Sequence, residues 1–151
     1  MKKNAYEKVM WSIVLPGFGQ LLNGRYFKGT LLIMLEIMIS VQTNLNEVIL
    51  LSFHGKIVDA INVTNYNWML FYPCIYCFSI WDSVKDAGGV TKRYSFLPYV
   101  FTAFFTTIGL VYSSELTIFG VILGPIWLPL VFLFPGIAVG LILRKIMINI
   151  S

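Results

Sequence analysis

Charge is what this chain has least of. Only 12% of its 151 residues are Asp, Glu, Lys or Arg, and 58% are hydrophobic. Soluble domains carry about 25% charged residues, and a soluble core of this size has too little polar surface here to cover it. That excludes a soluble globular enzyme, a disordered chain and a fibrous repeat. Histidine is reduced to His54; one imidazole builds no zinc site and, with no matched nucleophile, no catalytic triad. The two cysteines form Cys74-Ile-Tyr-Cys77 on an apolar run, without the accessible, acidified thiol that redox chemistry needs. Met34, Met38 and Met69 could join them in a soft-metal site, but Met and Cys are also ordinary packing residues. Phosphate loop, dinucleotide fingerprint, serine elbow, internal repeat and low-complexity tract are all missing from the sequence. The expectation is a non-enzymatic protein with no catalytic residue, cofactor or metal.

What is present is apolar sequence, with a mean hydropathy of +0.78. It divides into five segments of one membrane domain, residues 1–151. Val9–Leu22 is short and broken by Pro16, Gly17 and Gly19. The four longer stretches, 29–53, 68–84, 96–113 and 116–143, read as spanning helices. A polar stretch, 54–67, separates the first two of these, and a basic loop, 85–95, the next two. The predicted fold is all-α: a polytopic bundle of four long transmembrane helices plus a Pro/Gly-broken N-terminal hairpin or re-entrant segment. The N-terminus resembles a signal-peptide start, but no small-x-small cleavage pattern follows and Pro16-Gly17 interrupts the apolar core, so it reads as retained.

Basic residues set the orientation. If Val9–Leu22 dips in and returns, one side holds Lys2, Lys3, Lys8, Arg25, Lys28, Lys85, Lys92, Arg93, Arg144 and Lys145, ten of the eleven, and the other only Lys56. If that segment crosses, the split is seven against four. The positive-inside rule prefers the first arrangement, with both termini cytoplasmic. Fourteen residues reach only about 21 Å against a hydrocarbon core of about 30 Å. The net charge of +4 therefore needs no nucleic-acid partner. No local run of basic residues is long enough for a dedicated anionic-lipid site.

Polar residues recur at helical spacing: Glu36, Ser40, Thr43 and Glu47; Tyr72, Tyr76, Ser79 and Ser83; Thr102, Thr106, Gly109 and Ser113. Gly120-x-x-x-Gly124 and Gly136-x-x-x-Gly140 lie on the last segment. One reading is that these stripes pack helix on helix, since lipid offers no hydrophobic drive for association. The other is a polar pathway for an ion or solute. Glu36 is the leading intramembrane position, because a carboxyl at that depth is costly and needs a partner or protonation. Tyr72, Tyr76 or Thr106 could be that partner.

The densest local pattern is Leu15-Pro-Gly-Phe-Gly-Gln20, then Asn23-Gly-Arg-Tyr-Phe-Lys-Gly29, with Trp81-Asp82-Ser-Val-Lys85-Asp86-Ala87 later. Gly17, Gly19, Gly24 and Gly29 permit sharp turns and close approach. Gln20 and Asn23 are placed to satisfy backbone groups freed at Pro16. Asp82 and Asp86, one turn apart, are expected to meet Arg25 and Lys28 in an inner-face ion-pair latch. These segments resemble the bacterial branch of the small two-transmembrane-helix ("TM-two") domain superfamily, whose members carry similar Pro-Gly-x-Gly-Gln, Gly-Arg-x-x-x-Lys-Gly and Trp-Asp-x-x-x-Asp-Ala segments. The resemblance covers residues 10–40 and 78–88. It implies a multipass protein of a bacterial cell membrane and defines no reaction. The function expected is an assembly, regulatory or complex-forming subunit, partnered by the bilayer and by other membrane proteins or itself. The alternative is a small oligomeric channel or transporter using Glu36 and the hydroxyl-lined faces.

Overall fold

The computed structural model describes residues 3–88 and 93–150, and of residues 3–6 the backbone alone. Lys2 and Lys92 of the charge count lie outside the described residues. The chain is mostly helical: α1 (Lys3–Val14), α2 (Phe18–Leu22), α3 (Tyr26–Thr43), α4 (Leu45–Phe53), α5 (Ile57–Val63), α6 (Tyr66–Met69), α7 (Tyr72–Asp86), α8 (Leu97–Val111) and α9 (Gly124–Ile150). A two-residue antiparallel ribbon, β1 (Thr117–Ile118) with β2 (Val121–Ile122), precedes α9 and pairs Thr117 with Ile122. Its turn residues, Phe119 and Gly120, both have positive φ, as a tight hairpin turn of the favoured hand demands.

The all-α class holds, but the expected four long helices do not. One described helix, α9, is long and apolar enough by itself to cross a membrane; a second qualifies only if α3 and α4 are counted as one span bent by 62°. The bend sits at Asn44, whose φ of 56° and ψ of 34° are left-handed. Asn tolerates that conformation better than most residues, and here its side-chain amide donates to the Val63 carbonyl at 2.9 Å. The stretch 68–84 falls within α6 and α7. Leu70 and Phe71 between them keep right-handed helical angles, and Pro73, lacking an N–H, accounts for the local break. Residues 66–86 together therefore reach about 31 Å at helical rise. The last segment begins later than expected. Residues 117–122 form the ribbon, and the helix runs through Arg144 and Lys145 to Ile150.

The polar stretch 54–67 is not a plain connector. It forms α5, which packs on α4 and α9 with Ala60 fully buried. Leu45, Val48, Ala60, Met69 and Leu110 make the apolar core at this end. Around it the Trp127 indole donates to the Ser52 carbonyl at 3.2 Å, and the Tyr66 and Ser113 hydroxyls lie 3.2 Å apart.

Helices α8 and α9 form the most extensive contact in the fold. A Cβ on Gly136 would stand 2.8 Å from Thr102 Cα, and one on Gly140 2.5 Å from Pro98 Cα, so the two backbones meet through the missing side chains. Gly120 and Gly124 do not share a helix face as their spacing implied. Gly120 is in the ribbon turn, and Gly124 starts α9 against Ile57.

Candidate functional site

The N-terminal hairpin closes on one face of α7. Gly17 makes the turn with a φ of 105°, and a Cβ there would stand 2.6 Å from the Gly29 carbonyl oxygen, so glycine is required on both counts. The hairpin tip lies by the middle of α7: the Gly17 N–H donates to Ser79 Oγ at 3.1 Å, and the Tyr76 hydroxyl donates to the Ile13 carbonyl. Its open end lies further along α7. Gly19 fits against Ser12 Oγ, Ser83 Oγ and the Lys8 carbonyl with no room for a side chain. The Asn23 amide donates to the Ser83 carbonyl at 3.1 Å. Lys8 and Asn23, on the two arms of the hairpin, thus both lie near Ser83 of α7.

Gln20 is fully buried at the centre of this contact. Its Nε2 donates to the Ser79 carbonyl at 2.8 Å and to Asp82 Oδ2 at 3.3 Å. Gln20 and Asn23 therefore bind the backbone of α7 rather than the groups freed at Pro16; Ser79 takes the buried Gly17 N–H at the turn. Asp82 Oδ1 accepts from Lys28 Nζ at 2.8 Å, and Asp86 lies 3.5 Å from Lys28 and 3.7 Å from Arg25. The structure brings all four charged residues together and divides them: Lys28 bridges both carboxylates, while Arg25 reaches Asp86 only. The hydrogen bond to Asp82, with the charges of both carboxylates, holds the Lys28 ammonium above the ordinary lysine range; Lys28 precedes the apolar run that starts at Gly29. Gln20 Oε1, Asn23 Oδ1 and Ser83 Oγ are buried with no hydrogen-bond partner among the described residues. Sequence reasoning assigned Ser79 and Ser83 to a stripe without linking them to the hairpin, and it did not single out Ser12. The readable signal was Ser79, Asp82 and Ser83 at i, i+3 and i+4, one face of one helix.

The residues of the expected polar site, Glu36, Tyr72, Tyr76 and Thr106, are brought together only in part. Glu36 is buried at 7% exposure, with its carboxyl against the Tyr72 hydroxyl, and the Tyr72 and Tyr76 rings stack at 5.7 Å. Tyr76 spends its hydroxyl on the hairpin. Thr106 is on α8, which packs mainly on α7 and α9, and its hydroxyl has no partner among the described residues. The stripe through Glu47 is broken, because the bend at Asn44 turns Glu47 outward to solvent-accessible surface. The hydroxyls of Thr43, Thr102, Thr107 and Ser113 each donate to a carbonyl three or four residues back in their own chain. Such bonding quiets a polar group inside a helix, and Thr106 is the hydroxyl of its stripe left without it. Cys74 is exposed and Cys77 half-buried, both as free thiols. Among the described residues no three His, Cys, Asp or Glu side chains stand close enough to hold a metal ion.

No family model, curated protein or solved structure matches this chain.

Proposed function

We propose that the chain is a small multipass protein of a bacterial cell membrane, acting without catalysis as an assembly, regulatory or complex-forming subunit. The observation that carries the reading is the outer surface. Met34, Ile37 and Val41 on α3, Phe78 on α7, Phe104 on α8 and Phe134, Leu141 and Ile142 on α9 all point outward, exposed. Apolar surface on this scale needs a bilayer or a partner to cover it. In this reading α9, the kinked α6–α7 pair and the bent α3–α4 pair cross the bilayer, α8 crosses where the membrane thins to its length, and the hairpin dips and returns. Backbone inside the hydrocarbon is tolerated where protein covers it, and Ser79 and Tyr76, bonded to the Gly17 N–H and the Ile13 carbonyl, supply that cover. The resemblance of residues 10–40 and 78–88 to the TM-two superfamily implies a multipass protein as well.

Transport is the second reading, favoured by the buried Glu36 beside Tyr72. Against it stand the Thr43, Thr102 and Ser113 hydroxyls, already bonded to carbonyls three or four residues back, with Thr106 the exception. Two measurements on the full chain separate the readings. The subunit reading expects resistance to alkaline carbonate extraction, recovery of one membrane partner or a homo-oligomer after cross-linking, and no flux in reconstituted vesicles. Ion or solute flux that Glu36→Ala abolishes would replace it with the transport reading. Glu36→Gln keeps the hydrogen bonding and tests ionisation alone.

A further inference from the structure

Between α7 and α8 runs an open groove of about 620 Å³ that the latch and the Glu36 site do not use. Its walls are almost wholly apolar: Phe78 on α7, Val100, Ala103 and Phe104 on α8, with Cys74 and Thr107 at one end. The other end is Trp81, Phe96 and Tyr99, where α7 finishes and α8 begins. The groove therefore runs along the helices, about 10 Å from Trp81 to Cys74 by helical rise. It opens onto exposed apolar surface at Phe78, Val100 and Phe104.

Hydrogen-bond donors collect at the Trp81 end. The Trp81 indole Nε1 is buried with no partner among the described residues. Lys85, one turn further along α7, sits with its ammonium 5.0 Å from the centre of the Trp81 ring and makes no ion pair with a described residue. Arg144 comes from α9. Gly140 abuts Pro98 at the start of α8, and Arg144 is one turn on along that same face, within electrostatic reach of Tyr99. Its Nε is likewise buried without a partner among the described residues. Trp81 lines this end of the groove, and the cationic Lys85 and Arg144 lie beside its wall residues Trp81 and Tyr99; none of the three has an acceptor among the described residues. A ligand that answers all of this has an apolar tail and an acceptor-only, negatively charged head.

We propose that the groove holds one acyl chain of an anionic phospholipid, with the phosphate bound by Arg144 and Lys85 and an ester oxygen accepting from Trp81. The inference rests on the membrane reading above. Arg144 and Lys85 stand 59 positions apart in the sequence, which is why no local basic run marked the site. Tryptophan and basic side chains at such a level are the ordinary anchors of a helix end at the headgroup region, and here they frame a preformed cleft rather than a flat belt.

The test uses the full chain, delipidated in mild detergent and titrated with phosphatidylglycerol or with phosphatidylcholine of the same acyl chains, bound lipid being read by native mass spectrometry. One phosphatidylglycerol per chain is expected to bind in preference to phosphatidylcholine. Lys85→Gln and Arg144→Gln each lower that affinity roughly fivefold, and about 25-fold together, with a smaller loss for phosphatidylcholine, whose choline cation offsets its phosphate. Val100→Trp, on the exposed rim, fills the groove and removes both lipids; Phe104→Trp serves if that variant does not fold. Equal affinity for the two lipids, an unaltered preference in the double variant, or full displacement by inorganic phosphate alone would each overturn the proposal. A chain that alkaline carbonate strips from membranes defeats the membrane reading itself. A chain that stays but shows no headgroup preference defeats the lipid site only.

Discussion

Asp82 is 5% exposed and accepts from two separate elements, Gln20 of α2 and Lys28 of α3. Removing it takes from the fully buried Gln20 amide one of its two acceptors, the Ser79 carbonyl remaining, and removes the pair with Lys28 as well; removing Lys28, whose side chain is 49% exposed, loses the pair alone and leaves Asp82 its bond from Gln20. An unmade bond to a buried group costs about 1–3 kcal/mol, and a half-exposed pair contributes under about 1 kcal/mol. Asp82→Ala is therefore expected to lower stability in detergent by about 2–3 kcal/mol, and Lys28→Ala by under about 1 kcal/mol. Equal losses in thermal unfolding would mean that the ion pair, rather than Gln20, holds the hairpin. The compensating exchange belongs at the outer pair: Arg25→Asp should be tolerated when combined with Asp86→Arg, since Arg25 is 64% exposed and touches Asp86 rather than Asp82.

Among the elements, the bend between α3 and α4 decides the most. A straight helix over 26–53 would align Glu36, Ser40, Thr43 and Glu47. The left-handed Asn44 divides that stripe, keeping Glu36 and Thr43 buried while Glu47 faces out. A left-handed conformation costs an ordinary side chain about 1–2 kcal/mol, and glycine very little. Asn44→Ala should thus destabilise by about 1–2 kcal/mol, with the lost bond to Val63 included. Asn44→Gly should recover about half of that, since it restores the backbone freedom but not the amide. If denaturation ranks glycine below alanine, the bend is set by packing of α4 on α5 and α9 instead.

For the whole molecule, the proposed arrangement places the α4–α5 turn and the α7–α8 connection on opposite faces of the membrane. The distance agrees: residues 66–86 reach about 31 Å at helical rise, against a hydrocarbon core of about 30 Å. With Cys74 and Cys77 replaced by serine, His54→Cys is expected to react with an impermeant maleimide from outside intact cells. Ser95→Cys should react only after the membrane is opened. Labelling of both from one side would rule out the crossing by α6 and α7 and, with it, the ten-to-one sorting of basic residues.

The sequence by itself determined the helical class of this protein and the presence of a helix apolar enough to cross a membrane. Both follow from counts, the scarcity of charge and the length of apolar runs, which need no knowledge of what touches what. The meeting of Arg25 and Lys28 with Asp82 and Asp86 was legible too, because complementary charges stood at matching ends of short segments. Where helices stop was not. Asn44, Pro73 and the Phe119-Gly120 turn redirect the backbone through dihedral angles and side-chain bonds to distant partners, such as Asn44 to Val63. Nor could spacing along one strand of chain reveal that Gln20 reaches α7, that hydroxyls face their own carbonyls, or that Arg144 and Lys85 flank one groove. Those pairings join residues far apart in sequence, and only the packing of α2 on α7 and of α8 on α9 decides them.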